Sequence, residues 1–425
     1  MRKVILLVTV LVFTSVCVNS QTGWFQQTST TQLNLYSVYF IDDLTGYAVG
    51  GPLFGSSGIV LKTTNSGNVW FNVPNTSNGV LWGLHFVNSN TGFVVGYNGN
   101  IRKTTNGGIT WITQIILDPL AGWFKCVYFL NENTGYIGGI SVFYTSNGGT
   151  NWERRSPGVH EATYLGLKFF NKDTGIVVGE NFGTAKTTNG GINWTLISSS
   201  GLNCVSFADV NNGIAAGYEI KKTTNQGNNW IVQYTSNNLR GASYMDINNA
   251  IVVGSSGKIL RTLNGGTNWI QQLSGTTKML HSVSFVNINT GWSVGDTGII
   301  LKTTTGGLTP ITPVSNKVPS EFKLHQNYPN PFNPITKIRF AIPKVGTVPR
   351  TVRLIIYDML GREITTPVNE QLNPGTYEVN WDASNYPSSV YFYKLVVGDA
   401  SALLSTGNTN NGVGYTETKK MVLIK

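Results

Sequence analysis

Short apolar runs alternate with clusters of glycine, asparagine and threonine along most of this chain. Apolar runs of this kind, bounded by Asn and Gly, predict strands joined by tight turns. One pattern recurs seven times between positions 45 and 310, with small variations. It consists of an aromatic strand end, the motif T-G-x-x-V-G, a second short strand and the motif T-N-G-G-x-x-W.

The recurring tryptophans define the length of the repeat. They are separated by 36 to 46 residues and are Trp24, Trp70, Trp111, Trp152, Trp194, Trp230 and Trp269. A period near 40 residues with strand-and-turn content predicts a β-propeller in which each repeat supplies one four-stranded blade. The last repeat has Pro310 where tryptophan is expected, and proline cannot donate to a strand ladder. We therefore expect the N-terminal strand around Trp24 to complete the seventh blade and remove the free edges.

The repeated polar residues are interpreted as structural. Two positions after the aromatic residue of each first strand, an Asp or Asn is expected to form an Asx turn. These residues are Asp42, Asn88, Asn131, Asn171, Asp209, Asp246 and Asn287. The second glycine of each N-G-G turn is expected to need a positive φ. These glycines are Gly67, Gly108, Gly149, Gly191, Gly227, Gly266 and Gly307.

The segment T-T-N-G-G-I-T-W at 104–111 resembles the Asp-box, or BNR, repeat, with Asn in place of the aspartate. The repeat as a whole is most similar to the propellers of the photosystem II assembly and stability factor family. The resemblance covers residues 21–310 and implies a seven-bladed propeller. Because such propellers carry many unrelated functions, it implies no particular activity.

The repeats stop after position 310, and a different domain is predicted at the C-terminus. A Pro- and Ser-containing linker at 311–320 precedes alternating strands with prolines at their ends, which predict a small β-sandwich over 321–425. This segment contains Y-P-N-P-F-N-P, I-Y-D-M-L-G-R-E, P-G-T-Y, V-Y-F-Y-K-L and a terminal K-K-M-V-L-I-K. In these motifs it resembles the type A C-terminal sorting domain of the type IX secretion system. The resemblance implies export across the outer membrane and the secretion machinery as a partner.

The N-terminus is typical of a cleaved signal peptide at 1–20. Arg2 and Lys3 precede an apolar run at 4–16, and the segment ends at Ser20. Lipidation of Cys17 is the alternative, which the bulky Val16 disfavours. Together the two ends predict a protein that is secreted or held at the bacterial cell surface after passing through the periplasm, with no membrane span.

Charge and cysteine content add two smaller points. The net charge of +10 is spread over the chain, so the sequence does not indicate nucleic-acid binding. A basic residue precedes the T-T of six repeats, where we expect its stem on the blade edge and its head in water; an anion-binding ring is the alternative. These residues are Lys62, Lys103, Lys186, Lys222, Arg261 and Lys302. Cys126 and Cys204 occupy a position that is small in every blade, so they are expected to be unpaired fillers rather than a disulfide.

Function is expected where the blades differ, on the face formed by their variable loops. The residue four positions before the first-strand aromatic, and the residue that follows the V-G motif, differ from blade to blade. The ligand-binding candidates at these positions are Tyr36, Trp82, Tyr97, Lys125, Glu180, Tyr218, Arg240, His281 and Asp296. Aromatic and charged side chains of this mixture suit stacking and hydrogen bonding to a glycan or a peptide.

The sequence favours a binding protein over an enzyme, and it implies no cofactor or metal. It contains no metal-binding cluster or phosphate-binding loop, and its G-x-S-x-G string at 291–295 falls within the repeated T-G-x-x-V-G strand motif. The alternative is an extracellular propeller glycoside hydrolase, for which Glu180 and Asp296 are the non-repeated carboxylates of the variable loops. A third possibility is an assembly factor for another exported complex.

Overall fold

The computed structural model describes residues 23–52, 58–74, 79–158, 163–180, 183–198, 200–308, 312–315, 317–344, 350–383, 386–398 and 413–425. The predicted signal peptide and Pro310 lie outside these residues. The described elements are β-strands, apart from two short 3-10 turns at Ser255–Gly257 and Asp296–Gly298. The predicted all-β class is confirmed.

Seven four-stranded antiparallel sheets follow one another from the N-terminus. The first three contain β2 (Leu35–Phe40), β3 (Gly46–Gly50), β4 (Ile59–Thr63), β5 (Phe71–Asn72), β6 (Leu81–Phe86), β7 (Gly92–Gly96), β8 (Ile101–Thr104), β9 (Ile112–Gln114), β10 (Cys126–Phe129), β11 (Gly135–Gly138), β12 (Val142–Thr145) and β13 (Glu153–Arg154). The next three contain β14 (Tyr164–Phe169), β15 (Gly175–Gly179), β16 (Gly183–Thr187), β17 (Thr195–Ser198), β18 (Leu202–Phe207), β19 (Gly213–Gly217), β20 (Glu219–Thr223), β21 (Ile231–Thr235), β22 (Leu239–Tyr244), β23 (Ala250–Gly254), β24 (Ile259–Thr262) and β25 (Ile270–Gln272).

The N-terminal strand closes the ring, as predicted. The seventh sheet contains β26 (Leu280–Phe285), β27 (Gly291–Gly295) and β28 (Ile300–Gly307), and its outer strand is β1 (Gly23–Gln27), which pairs with β28. Trp24 on β1 is fully buried, and its Nε1 donates a hydrogen bond to Gln272 Oε1 at 2.8 Å. The first strand of each sheet contacts the first strand of the next sheet, and β26 contacts β2. The seven sheets therefore form a closed ring.

The aromatic residue at the end of each first strand holds neighbouring sheets together. Phe40 stacks on Trp292 of the preceding sheet with ring centroids 3.4 Å apart, and Phe129 stacks on Phe93 at 3.5 Å. Within its own sheet the same ring meets the recurring tryptophan edge to face, as Phe129 does with Trp152 at 6.1 Å. Each ring thus bridges two sheets and reaches from the innermost strand to the outermost one.

This packing explains why the T-G motif contains a glycine. A Cβ atom on Gly135 would lie 2.3 Å from the ring of Phe129, and five other sheets give 2.4 to 2.6 Å for the equivalent pair. The ring can therefore cross the second strand where that strand has no side chain. The sixth sheet has Ala250 instead, and there the aromatic residue is Tyr244, whose hydroxyl donates to Ile247 O.

The repeated turns have the predicted geometry. In all seven sheets the Asp or Asn after the aromatic residue accepts hydrogen bonds from the backbone N–H groups two and three residues further on. The second glycine of each later turn has φ between 76° and 93°. A threonine Oγ1 at the end of the third strand accepts from the N–H of that glycine at 2.6 to 2.9 Å. These polar residues are therefore part of the scaffold.

Five of the six basic residues before the T-T bond a turn of the next sheet, contrary to the expectation that their charged groups lie in water. Lys62 Nζ donates to Gly107 O at 2.7 Å, and Lys222 Nζ donates to Gly265 O at 2.6 Å. Lys103 and Arg261 bond equivalent turn carbonyls, and Lys186 bonds Asn228 Oδ1. Each of these five charges ties one sheet to a turn of the next, in four cases through a backbone carbonyl of the turn and for Lys186 through the Asn228 side chain. The sequence shows the repeat but not the partner across the sheet boundary.

The two cysteines among the described residues, Cys126 and Cys204, are unpaired, as expected. Cys126 and Cys204 lie on the first strands of the third and fifth sheets. Burial raises the pKa of each thiol to about 12, so they behave as small apolar fillers at neutral pH.

The C-terminal region forms two four-stranded sheets around one core. The first sheet has the order β29 (Thr312–Ser315), β34 (Gly375–Asp382), β31 (Ile335–Ile342) and β30 (Lys323–Leu324). The second has the order β33 (Glu363–Leu372), β32 (Arg350–Tyr357), β35 (Ser389–Gly398) and β36 (Val413–Leu423). Phe340 and Trp381 of the first sheet share a buried cluster with Leu354 and Tyr393 of the second. Four residues of the predicted linker belong to this region, because β29 pairs with β34.

The substitution Gly135→Ala tests the ring-over-glycine packing. We expect it to lower the free energy of unfolding by about 1–3 kcal/mol, because the added methyl group overlaps the Phe129 ring in a packed interface. Urea unfolding followed by tryptophan fluorescence measures the change. The matched control is Gly122→Ala, since a Cβ at Gly122 meets nothing within 4 Å. Equal stability of the two variants would contradict this account of the motif.

Candidate functional site

A bulge in the first strand sets the direction of the variable side chains. In six of the seven sheets the pairing of the first and second strands skips one residue near the start of the first strand. The skipped residues are Tyr36, Trp82, Leu165, Asn203, Arg240 and His281. In the third sheet Lys125 stands just before β10, and its N–H donates to Gly138 O at 2.7 Å. A bulge re-aims the side chain it carries, so the position that varies most between blades is also the one released from regular pairing.

Three aromatic residues and one lysine from the second and third sheets form a cluster. The ring centroids of Trp82, Tyr97 and Trp123 lie 5.7 to 6.3 Å apart. Lys125 Nζ lies 3.1 Å from the centroid of Trp82 and 5.4 Å from that of Trp123. We call these four residues the aromatic–lysine cluster. Its geometry is that of a cation–π contact between a partly desolvated ammonium group and an indole ring.

The electrostatic environment of Lys125 connects the cluster to other sheets. Burial lowers the pKa of Lys125 to about 8; the negative charge of Glu180 opposes this change and the positive charge of Arg240 adds to it. Arg240 also lowers the pKa of His281. The strand register pairs the start of each first strand with the end of the second strand, so Arg240 and His281, at first-strand starts, and Glu180, after a second strand, belong to the same end of the ring axis. Arg240 Nε is buried without a hydrogen-bond partner among the described residues.

A second group joins the seventh sheet to the first. His281 Nε2 lies 2.7 Å from Asp296 Oδ1, and the His281 ring packs on Tyr36 with centroids 4.8 Å apart. Asn34 donates to the Tyr36 hydroxyl at 3.3 Å and accepts from the N–H of Thr297. Burial lowers the pKa of His281, while the hydrogen bond and charge of Asp296 oppose that change.

The structure brings most of the sequence-predicted residues into these two groups. Trp82, Tyr97 and Lys125 are in the aromatic–lysine cluster, and Tyr36, His281 and Asp296 are in the second group. Glu180 and Arg240 are linked to Lys125 by charge. Tyr218 is exposed, and none of the described contacts joins it to either group.

Trp123 is the residue that the sequence analysis missed. It lies in the loop before β10, between the second and third sheets, and is 46% exposed. A signal was present in the sequence, because Trp123 is one of the tryptophans that fall outside the repeat position. Comparing equivalent positions of the seven repeats does not reveal Trp123, because it lies in a loop without an equivalent in the other repeats.

The described residues contain no group of three or more His, Cys, Asp or Glu side chains able to hold a metal ion. They also contain no helix that is both long and apolar enough to cross a membrane.

The ring of sheets, its repeated turns and the C-terminal pair of sheets define a β-propeller with BNR-type repeats that carries a C-terminal sorting domain. Residues 224–328 match the family model described as Photosynthesis system II assembly factor YCF48. Residues 326–403 match the family model described as Secretion system C-terminal sorting domain. Both resemblances stated from the sequence are confirmed. The sorting domain indicates export through a type IX secretion system to the cell surface or beyond, and it implies contact with that machinery.

Three solved structures share the propeller fold. YCF48 bound to D1 peptide has 20% sequence identity and a TM-score of 0.55, covering 67% of this chain and 98% of that chain. YCF48 from Cyanidioschyzon merolae has 18% identity and a TM-score of 0.54, covering 66% of this chain and 98% of that chain. The WD40 propeller domain of Doa1 has 11% identity and a TM-score of 0.53, covering 66% and 97%. No curated protein matches the chain.

Two substitutions test the arrangement around His281 and should act in opposite directions. Asp296→Asn removes the charge that raises the pKa of His281, so this pKa should fall; Arg240→Gln removes a charge that lowers it, so it should rise. An NMR pH titration measures both, and the chain has four histidines to assign. His325 in the C-terminal region serves as the internal control. If neither variant moves the pKa of His281, these residues do not share one end of the ring.

Proposed function

We propose that this protein is an exported, non-enzymatic binding protein that captures an extended polypeptide segment at the loop face of its propeller. The observation that carries this proposal is the aromatic–lysine cluster. Trp82 lies on β6, Tyr97 lies in the loop after β7, and Trp123 and Lys125 lie in the loop before β10. None of the four belongs to the repeated packing and turn residues that hold the propeller together. Because the residues that recur in every blade account for the fold, a cluster built from non-recurring residues is best explained by a ligand.

The ligand chemistry follows from what the cluster leaves open. Lys125 lies over Trp82, so one face of that indole is already covered, whereas Trp123 remains 46% exposed. A sugar ring would stack on an open aromatic face. A peptide can instead pack an apolar side chain against Trp123 while an acidic side chain approaches Lys125 and Arg240. This favours a peptide over a glycan, although both remain outcomes of the test.

The comparisons support the same class of function. One of the solved propellers with this fold is YCF48 bound to D1 peptide. We take from it that the fold can bind a polypeptide segment, and not that this chain has the same partner. The family model over 224–328 is that of an assembly factor. A role in assembling another exported protein is therefore one form that the proposed binding takes.

The destination of the protein follows from its ends. We propose that the N-terminal segment directs the chain into the periplasm and that the sorting domain at 321–425 then directs it outwards. The ligand is accordingly a segment of a cell-surface or extracellular protein.

Binding is tested with the full chain and a phage-displayed peptide library, followed by fluorescence anisotropy on enriched peptides. Trp123→Ala and Lys125→Gln should each weaken binding by about tenfold or more, because a central anchor of an interface contributes roughly 1–2 kcal/mol or more. Affinity should also fall between pH 7 and 9, since Lys125 loses its charge near pH 8, and Lys125→Gln should remove this dependence.

The matched control for this experiment is Phe71→Ala on the outer strand β5. Phe71 is 43% exposed, close to the value for Trp123, but it lies on the outer strand of the first sheet, paired with Lys62, and outside the aromatic–lysine cluster. It should bind as the unsubstituted protein does. The proposal fails if no peptide is enriched, if a glycan array gives ligands where the peptide library gives none, or if Trp123→Ala binds normally.

The glycoside hydrolase alternative makes a separate prediction. Asp296 is hydrogen-bonded to His281, and no described contact joins it to Glu180. Polysaccharides incubated with the protein should therefore release no more reducing sugar than a blank. Release that is lost in Glu180→Gln or in Asp296→Asn would establish the hydrolase in place of the binding protein.

A further inference from the structure

The turn between β32 and β33 in the C-terminal region is held by its own backbone and by the side chains of Asp358 and Arg362. Asp358 Oδ1 accepts hydrogen bonds from the N–H groups of Leu360 and Arg362 at 2.9 and 3.0 Å. Asp358 Oδ2 forms an ion pair with Arg362 Nε at 2.6 Å, and the Asp358 and Arg362 backbones bond to each other. Gly361 supplies the positive φ of 76° that the turn needs. The turn is therefore held in one shape without help from the side chains of Met359 and Leu360.

Those two side chains project into solvent. Met359 is 64% exposed and Leu360 is 77% exposed, although they are consecutive apolar residues at the tip of a turn. Neither belongs to the core cluster of this region, where Met421 and Leu423 are buried instead. Single exposed apolar residues need no explanation, but a rigid turn normally carries polar residues at such positions. Nothing in the folding of this region accounts for an adjacent apolar pair here.

The location of the pair indicates which partner covers it. The turn lies within residues 326–403, the segment that matches the sorting-domain family, and the propeller cluster is built from other residues. The sorting-domain match implies contact between this segment and the secretion machinery, and such a contact needs an exposed feature of the segment. The Met359–Leu360 tip is rigid, apolar and marked by an adjacent cation, Arg362, whose side chain is 74% exposed.

We propose that the Met359–Leu360 tip is a docking point through which the export machinery recognises the sorting domain. The partner surface is an apolar cleft that accepts both side chains, with a carboxylate at its rim to meet Arg362. Two unbranched or γ-branched side chains on a preformed turn enter such a cleft with little loss of backbone freedom. This inference rests on the proposed export route and is independent of what the propeller binds.

The test replaces the apolar tip while leaving the turn intact. The full chain, with Met359→Gln and Leu360→Gln together, is produced in a bacterium that has a type IX secretion system. Export to the surface or medium should fall by about tenfold, with the protein accumulating in the periplasm, if each apolar contact contributes as an interface anchor does. The swap Met359→Leu with Leu360→Met keeps both positions apolar and should be exported normally. Val318→Gln, at an exposed apolar position outside the matched segment, is the matched control.

The possible outcomes separate this inference from the proposed export route. If the unsubstituted chain is not exported, the export route itself is wrong. If the unsubstituted chain and the glutamine variant are exported equally, the docking point is wrong. Thermal unfolding of the purified variants should give unchanged midpoints, and a variant that is retained because it is unfolded would contradict the claim that the turn needs neither side chain. If the substitution instead dissolves a dimer in sedimentation and leaves export unchanged, the occupant is a second copy and the proposal is overturned.

Discussion

The packing of one aromatic ring over one glycine holds this propeller together. In every sheet but the sixth, the ring lies against a glycine of the second strand and meets the outer tryptophan edge to face; four of the rings also stack on an aromatic residue of the preceding sheet, as Phe129 does on Phe93. Because one ring contacts both the glycine and the tryptophan, these residues recur together, and the sixth sheet, with Ala250, is the exception. The Asx turns and the threonine-capped turns then satisfy the backbone between these contacts, and five basic residues each tie one sheet to a turn of the next.

The aromatic residue that holds the sheets together lies at the end of each first strand. The residues at the start of that strand can therefore differ between repeats. The bulge near the start of that strand releases one residue from regular pairing in six sheets, and these are the positions where the repeats differ. Trp82 and Arg240 occupy two of them, and Lys125 stands at the corresponding place in the third sheet. The ring brings these residues to one end of its axis although they are far apart in the chain. Binding specificity can therefore change without disturbing the packing that maintains the fold.

The role of a residue can be predicted from the sequence when that residue contacts its neighbours in the chain. It is harder to predict when the residue contacts another sheet. The turn residues, such as Asn88 and Gly108, were assigned correctly because an Asx turn and a positive φ are local properties. The interpretation of Lys62 was wrong because its partner, the carbonyl of Gly107, belongs to the next repeat. Trp123 was missed for a related reason, since its importance arises from rings contributed by other loops. Linker residues 312–315 were misplaced because strand pairing with β34 decides where that domain begins.

By itself the sequence determined the class of fold, the repeat, the strand that closes the ring and the presence of a sorting domain. These follow from the repeat period of about 40 residues, from local turn chemistry and from ordered motifs, which can be recognised in the sequence without knowing which residues meet in space. Tertiary structure decided which variable residues meet, which charges are shared between sheets and which apolar residues remain in solvent. Such properties depend on distances between residues of different repeats, from neighbouring blades, as for Trp82 and Trp123, to the two ends of the propeller, as for Tyr36 and His281, and the closure of the ring sets those distances.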